Sequence, residues 1–319
     1  MPGLVPGIRV LSPMMRGGPW RVAETTPAMT GESGMPATHI TLATATPGGG
    51  FPLYGGVVAE VINAVDPLLQ VECRNTKGST ENVPLLEASQ VDLGLVTGEV
   101  AFARVTTLRI LTAMYSTPGM FVVRGGSPAH SIADLKGRPV AFGAAGSGLV
   151  ILARYVLDGL GLDMERDFQA IFLDHAGDGP AMVLDRRAAA LWGGGIGWPG
   201  FAKVAEAGGR FIAPSTAEAT QIRAKHTFLK ALTVPASAYP GQNAPIQSVG
   251  SWSFILARPD LPDEVGYRLS KALHQGEAQL AAKLDQAKET TAANTVAAAP
   301  DPALIQPGVA RYLKEIGVF

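Results

Sequence analysis

From His39 onward, two hydrophobic periods take turns along the chain. "HITLATA" (His39 to Ala45) is short, apolar and rich in Thr and Ile, which predicts a strand. "LYGGVVAEVINAV" places Val57, Val58, Val61, Ile62 and Val65 at helical spacing. "LLQVECRN" alternates as a strand, "TKGSTENVPLLEASQ" reads as a turn opening a helix, and "VDLGLVTG" is a third strand. The same grammar restarts near Arg124. "SIADLKG" predicts a short helix capped by Ser131, "RPVAFGAAGSG" a strand running into a glycine loop, and "LVILARYVLDGLG" an amphipathic helix ended by glycine. "DFQAIFL" and "RFIAP" follow as strands, with "GDGPAMVLDRRAAALWGG" as a helix and short strand between them. Such alternation predicts parallel sheets covered by helices, arranged as two similar α/β lobes rather than one long sheet.

Two extended apolar passages fall between these units: "ILTAMYSTPGMFVVRG" (Ile110 to Gly125) and "QSVGSWSFILARPDLP" (Gln247 to Pro262). If the chain crosses to the second lobe and returns, the helical C-terminal part completes the first lobe, and two crossings make a hinge. Residues 38–122 with 248–319 then form lobe 1 and residues 123–247 lobe 2. Residues 1–37, rich in Pro, Gly, Ser and Thr, read as a flexible extension without the apolar core of a secretory signal.

Composition narrows the function. With 319 residues, 47% hydrophobic content, 17% charged residues and net charge -1, the chain has material for a large core but no basic block for nucleic acid. No run approaches the roughly 20 apolar residues of a membrane-spanning helix. Cys73, the single cysteine, can form no internal disulfide, and its alternating neighbours predict burial. The five histidines are scattered, with no metal-ligand spacing; no metal and no cofactor are expected.

Four loops bearing glycine or hydroxyl groups open predicted helices: Gly48 to Gly50, Gly78 to Thr80, Gly146 to Gly148, and Gly193 to Gly200. The first turn of a helix leaves backbone N–H groups unpaired and partially positive, so each end accepts an anion without a formal cation. Glycine lets the ligand approach, and Ser79 and Ser147 add hydroxyls; the alternative is that these hydroxyls only cap their own helices. In open α/β sheets such loops gather at the carboxyl ends of the strands. Phe51, Tyr54, Tyr115 and Trp198 lie in or near these loops and offer apolar faces, the last three with a polar donor, suited to a closed pocket around a small carboxylate. Glu81 and Glu99 read as solvated.

Catalytic and nucleotide motifs fail on inspection. In "NTKGSTEN" Lys77 precedes Gly78, the wrong order for a P-loop. "GIGWPG" satisfies G-x-G-x-x-G, but the acid expected about 20 residues later is missing, and Trp198 and Pro199 crowd the turn. "AAGSGL" is no nucleophile elbow, because Ala145 stands two before Ser147.

Taken together, "TATPGGGFPLYG", "TKGSTENVPLLEASQVDLGLV", "SIADLKGRPVAFGAAGSG", "PASAYPGQ" and "PGVARYLKEIG" resemble, in order and separation, the TAXI family, the solute receptors of tripartite ATP-independent periplasmic (TRAP) transporters. The resemblance runs from about residue 38 to the C-terminus. It implies a type II periplasmic-binding-protein fold, two doubly wound α/β lobes joined by two hinge segments around a ligand cleft. It also implies a periplasmic, monomeric receptor without enzymatic activity, which delivers a glutamate-like amino acid, dicarboxylate or 2-oxo acid to a membrane permease. The family's glycine loop falls on Gly48, Gly49 and Gly50 with Tyr54 behind it, its Gly-Ser and Asn pair on Gly78, Ser79 and Asn82, and its second-lobe loop on Gly146, Ser147 and Gly148. Trp198 stands where the family often has a small residue, and Gln306 where it usually has histidine. The competing reading is a two-lobed transferase acting on a phosphorylated or otherwise anionic small molecule.

Overall fold

A computed structural model of the chain describes residues 37–101 and 107–319; the expected N-terminal extension, apart from residue 37, lies outside them. Ten strands alternate with helices: β1 (Thr38–Ala43), β2 (Leu69–Arg74), β3 (Leu93–Thr97), β4 (Arg109–Val123), β5 (Pro139–Ala144), β6 (Gln169–Leu173), β7 (Ala190–Gly193), β8 (Arg210–Ile212), β9 (Lys230–Val234) and β10 (Ile246–Ala257). The helices that matter most below are α1 (Gly50–Val65), α2 (Ser79–Glu87), the single turn α3 (Gly98–Ala101) and α4 (Gly148–Gly159).

Two copies of one plan are joined. In the first, β1 pairs in parallel with β2 and β3, and β10 runs antiparallel beside β3. In the second, β5 pairs in parallel with β6 and β7, and β4 runs antiparallel beside β7. Each half therefore takes its antiparallel strand from a crossing passage. The crossings are themselves paired, Val249 with Gly119 through to Ala257 with Arg109, so the hydrogen bonding is continuous across ten strands in the order β2-β1-β3-β10-β4-β7-β5-β6, with β8 on β4 and β9 on β10. This departs from the expectation of two separate sheets, because β4 and β10 are long enough to belong to both halves: at about 3.3 Å per residue the 15 residues of β4 span both.

The cores follow the same division. Ile40, Leu42, Val58, Ile62, Leu95, Ala113 and Phe254 pack with Leu269, Leu273, Val309 and Leu313 of the C-terminal helices, which is where the apolar face of α1 goes. Beyond Gly119, alternate side chains of β4 enter different clusters: Phe121 and Val123 join Phe142, Val156 and Trp192 on one face, while Met120 and Val122 join Leu191, Trp198 and Phe201 on the other. Both faces of β4 are covered, and every position from Ile110 to Val123 is buried, the polar Thr112, Ser116 and Thr117 included. Cys73 is exposed, contrary to expectation: it shares a strand face with the buried Leu69 and Val71, but it lies next to last on the edge strand β2, where burial gives way to exposed positions. Among the described residues no helix is long and apolar enough to cross a membrane.

Candidate functional site

The carboxyl ends of β1, β3, β5 and β7 face one another, and the loops leaving them surround a cavity of about 70 Å³. A single water needs about 10–15 Å³, so the cavity has room for a small molecule. Gly49, Gly50, Phe51, Gly78, Ser79, Tyr115, Ser147, Gly148 and Trp198, all singled out in the sequence, line it together with Thr97, Thr117, Ser253 and Gln286. No charged side chain is among the described lining residues.

Four helix starts frame this space, and none has a side-chain cap. The N-cap residues are Gly49 for α1, Gly78 for α2, Ser147 for α4 and Trp198 for the helix Pro199–Glu206. Elsewhere some helices are capped and some are not: Asp163 accepts from Glu165 N and Arg166 N, Ser215 forms a capping box with Glu218, Thr291 accepts from Asn294 N, and Gln306 accepts from Val309 N, whereas the helices Gly179–Leu184, Asp263–Gln275 and Glu277–Lys283 have no side-chain cap. The capping role considered for the two serines does not occur. Ser147 Oγ is buried without a partner, and Ser79 Oγ accepts instead from Thr97 N at 3.1 Å. First-turn amides of α1, α2 and α4, from both halves, therefore remain for a ligand, while the fourth helix begins at Pro199, which has no N–H, and contributes its positive end.

The two halves meet tightly at the rim. A Cβ placed on Gly148 would lie 1.9 Å from Thr97 Oγ1, and one on Gly48 2.7 Å from Gly177 Cα. Thr80 Oγ1 donates to the Gly146 carbonyl at 2.6 Å. Gly146 thus serves this contact rather than the lining.

Tyr54 and Asn82 also lie outside the lining, for physical reasons. Tyr54 is fully buried and donates to Thr290 Oγ1 (3.0 Å), which itself donates to the Met114 carbonyl (2.7 Å). Its ring meets that of Tyr115 edge-on at 5.3 Å, so it supports Tyr115 from behind. Asn82 donates to the carbonyls of Thr44 and Leu95 at 2.8 Å each and accepts from Thr76 Oγ1 at 2.7 Å, tying the ends of β1 and β3 together. Burial pushes the Tyr115 hydroxyl well above the usual phenol range, with nearby Tyr54 adding to the effect, so it meets a ligand as a neutral group.

Glu99 is not solvated. It sits buried in α3, its carboxylate accepting from Ser251 Oγ of β10 while Oε1 has no partner among the described residues. Burial raises its carboxyl above the ordinary range, against the lowering effects of Ser251, its own backbone and Thr97. Thr97, Thr117, Ser253 and Gln286 are polar lining residues that sequence reasoning missed, and Gln286 is the least expected of them. It lies in the 3-10 turn Asp285–Glu289, in a polar stretch with no glycine signature, and is 1% exposed.

A family model described as the NMT1-like family matches residues 42–317. Solved structures share the fold at low identity. MatC from Rhodopseudomonas palustris with bound malate is 12% identical, with 88% of this chain and 97% of that one covered at a TM-score of 0.57. The periplasmic binding protein BugD is 14% identical, with 89% and 99% covered at 0.54. A structure described as a periplasmic transporter is 15% identical, with 88% and 92% covered at 0.51.

Proposed function

Because this chain belongs to the NMT1-like family and has the two-lobed fold of the periplasmic binding proteins, we propose that it is an extracytoplasmic solute receptor that captures a small organic anion between its halves. The observation that carries this reading is the ring of four uncapped helix starts, drawn from both halves, around a cavity without charged side chains. Charge on the ligand is met by main-chain amides and the Ser147 hydroxyl, each such bond contributing about 1.5–3 kcal/mol. Only a ligand that bonds to both halves favours the closed form, since a ligand with equal affinity for two states shifts neither.

The lobes in this account are residues 38–122 with 248–319, and residues 123–247, bending where β4 and β10 run together. The fold shared with MatC, which carries malate, supports a carboxylate as the cargo class. The order of the glycine and Pro-Gly motifs supports a TRAP-type permease as recipient, in the manner of the TAXI receptors. The described lining contains no His, Cys, Asp, Glu, Lys or Arg, so a transferase using this cleft would lack a general acid or base of ordinary pKa; that favours binding without turnover.

Thermal-shift screening against small carboxylates, amino acids and nucleotides tests the reading. A carboxylate at one hundred times its Kd adds about 2.7 kcal/mol, an upshift of about 5 °C for a domain of this size. Stabilisation by nucleotides alone, or turnover of any ligand, would overturn it.

A further inference from the structure

Gln286, like Ser147, is a polar lining residue with a buried side-chain oxygen that has no hydrogen-bond partner among the described residues. Its side chain is buried, the residue is part of the cavity wall, and the unpartnered atom is Oε1. It lies where the two lobes' contributions converge: a Cβ on Gly50 would be 3.7 Å from Gln286 Nε2, 3.7 Å from Trp198 Cδ1 and 3.4 Å from the Tyr115 hydroxyl. A buried acceptor left unpaired costs about 1–3 kcal/mol, so the occupant of this cavity is one that supplies a donor there. The donor can be a hydroxyl or an amino group, and the electrostatics choose between them. An ammonium would sit among four positive helix ends with no carboxylate in the lining to pair with it, whereas a hydroxyl donates without adding charge.

Resting on the carboxylate-receptor reading above, we infer that Gln286 makes this protein selective for hydroxy acids, with the helix starts holding the carboxylate and the Gln286 carboxamide accepting from the hydroxyl beside it. A 2-oxo acid or an unsubstituted acid leaves Oε1 unpaired, and an amino acid brings the wrong charge.

The test is calorimetric titration with two matched sets: lactate, pyruvate, propanoate and alanine; and malate, succinate and aspartate. The hydroxy acid of at least one set should bind about tenfold more tightly than its unsubstituted partner and more tightly again than the amino acid. Gln286→Leu should bring hydroxy and unsubstituted acids to within about twofold of each other by weakening only the former. Gln286→Glu, which keeps the side chain's size, should move the preference toward alanine or aspartate by supplying the missing countercharge. An amino acid binding as tightly as its hydroxy counterpart, or an unchanged ratio in Gln286→Leu, overturns the role of Gln286 while the receptor reading stands. No binding by any member of either set overturns the receptor reading itself, and the selectivity with it.

Discussion

Gly148→Ala tests closure directly. Gly148 opens α4 on the second half, and its missing side chain is what lets α4 settle against the end of β3: an added Cβ would lie 1.9 Å from Thr97 Oγ1, 2.6 Å from Thr97 Cγ2 and 2.8 Å from Thr97 Cβ. Carbon contacts are comfortable at about 3.5–4.0 Å, so the halves must part or Thr97 must move. Overpacking of this kind costs about 1–3 kcal/mol, and here the cost falls on the closed form alone, because parting the halves relieves it. Ligand affinity should drop about 5- to 150-fold by the relation of about 1.4 kcal/mol per tenfold, while the melting temperature without ligand stays near the wild-type value. Thr97→Ala in the same background, which removes Oγ1 and Cγ2, the two nearest atoms, and leaves Cβ at 2.8 Å, should restore part of the loss. Gly56→Ala is the control, since a Cβ there meets nothing within 4 Å and should leave affinity alone. Calorimetry with the best carboxylate from the screen reads the effect. Wild-type affinity in Gly148→Ala would refute the reasoning that binding requires the halves to meet at this contact.

Two further perturbations separate ligand binding from folding. Ser147→Ala should weaken carboxylate binding without lowering the melting temperature, because Ser147 Oγ has no partner among the described residues, whereas Ser79→Ala should cost about 1–3 kcal/mol of stability by orphaning the buried Thr97 N–H; chemical denaturation beside calorimetry distinguishes the two. For Glu99, the folded carboxyl titrates above its ordinary 4.5 because burial disfavours the charge. The native state therefore keeps a proton that the unfolded chain has lost, and stability falls as pH rises from about 4.5 through the folded value. Glu99→Gln should abolish this decline, so stability from denaturation curves should fall with pH across that window in the wild type and stay level in the variant; equal slopes in the two would assign the decline to another group.

The fold was legible because its signals are local. Glycine loops that end apolar strands and open amphipathic helices mark β1 to α1 and β5 to α4 from the text alone, and the two long apolar passages mark the crossings. Gly50, Ser79, Ser147 and Trp198 reach one cavity for the same reason: each stands at a strand's carboxyl end, a position set by chain topology. What stayed hidden depends on distant partners. Tyr54 finds Thr290 across 236 residues, Asn82 finds the carbonyls of two strands, and Glu99 meets Ser251 only when β10 returns. Gln286 sits in "KLDQAKET", whose composition is that of a solvated turn; it reaches the cavity because the C-terminal helices fold back onto the first core. Burial of such residues is a property of the return path, and no short-range pattern encodes it.

The central claim is that main-chain amides from opposing halves hold an anion and leave it unchanged. Backbone amide NMR of the labelled protein during titration with the best carboxylate from the screen tests it most directly. The account predicts that the amides of Gly50, Ser79, Thr80, Gly148 and Leu149 shift together at one-to-one stoichiometry, while the ligand's own spectrum shows no new species over hours. Shifts confined to one half, or conversion of the ligand to a product, would contradict it.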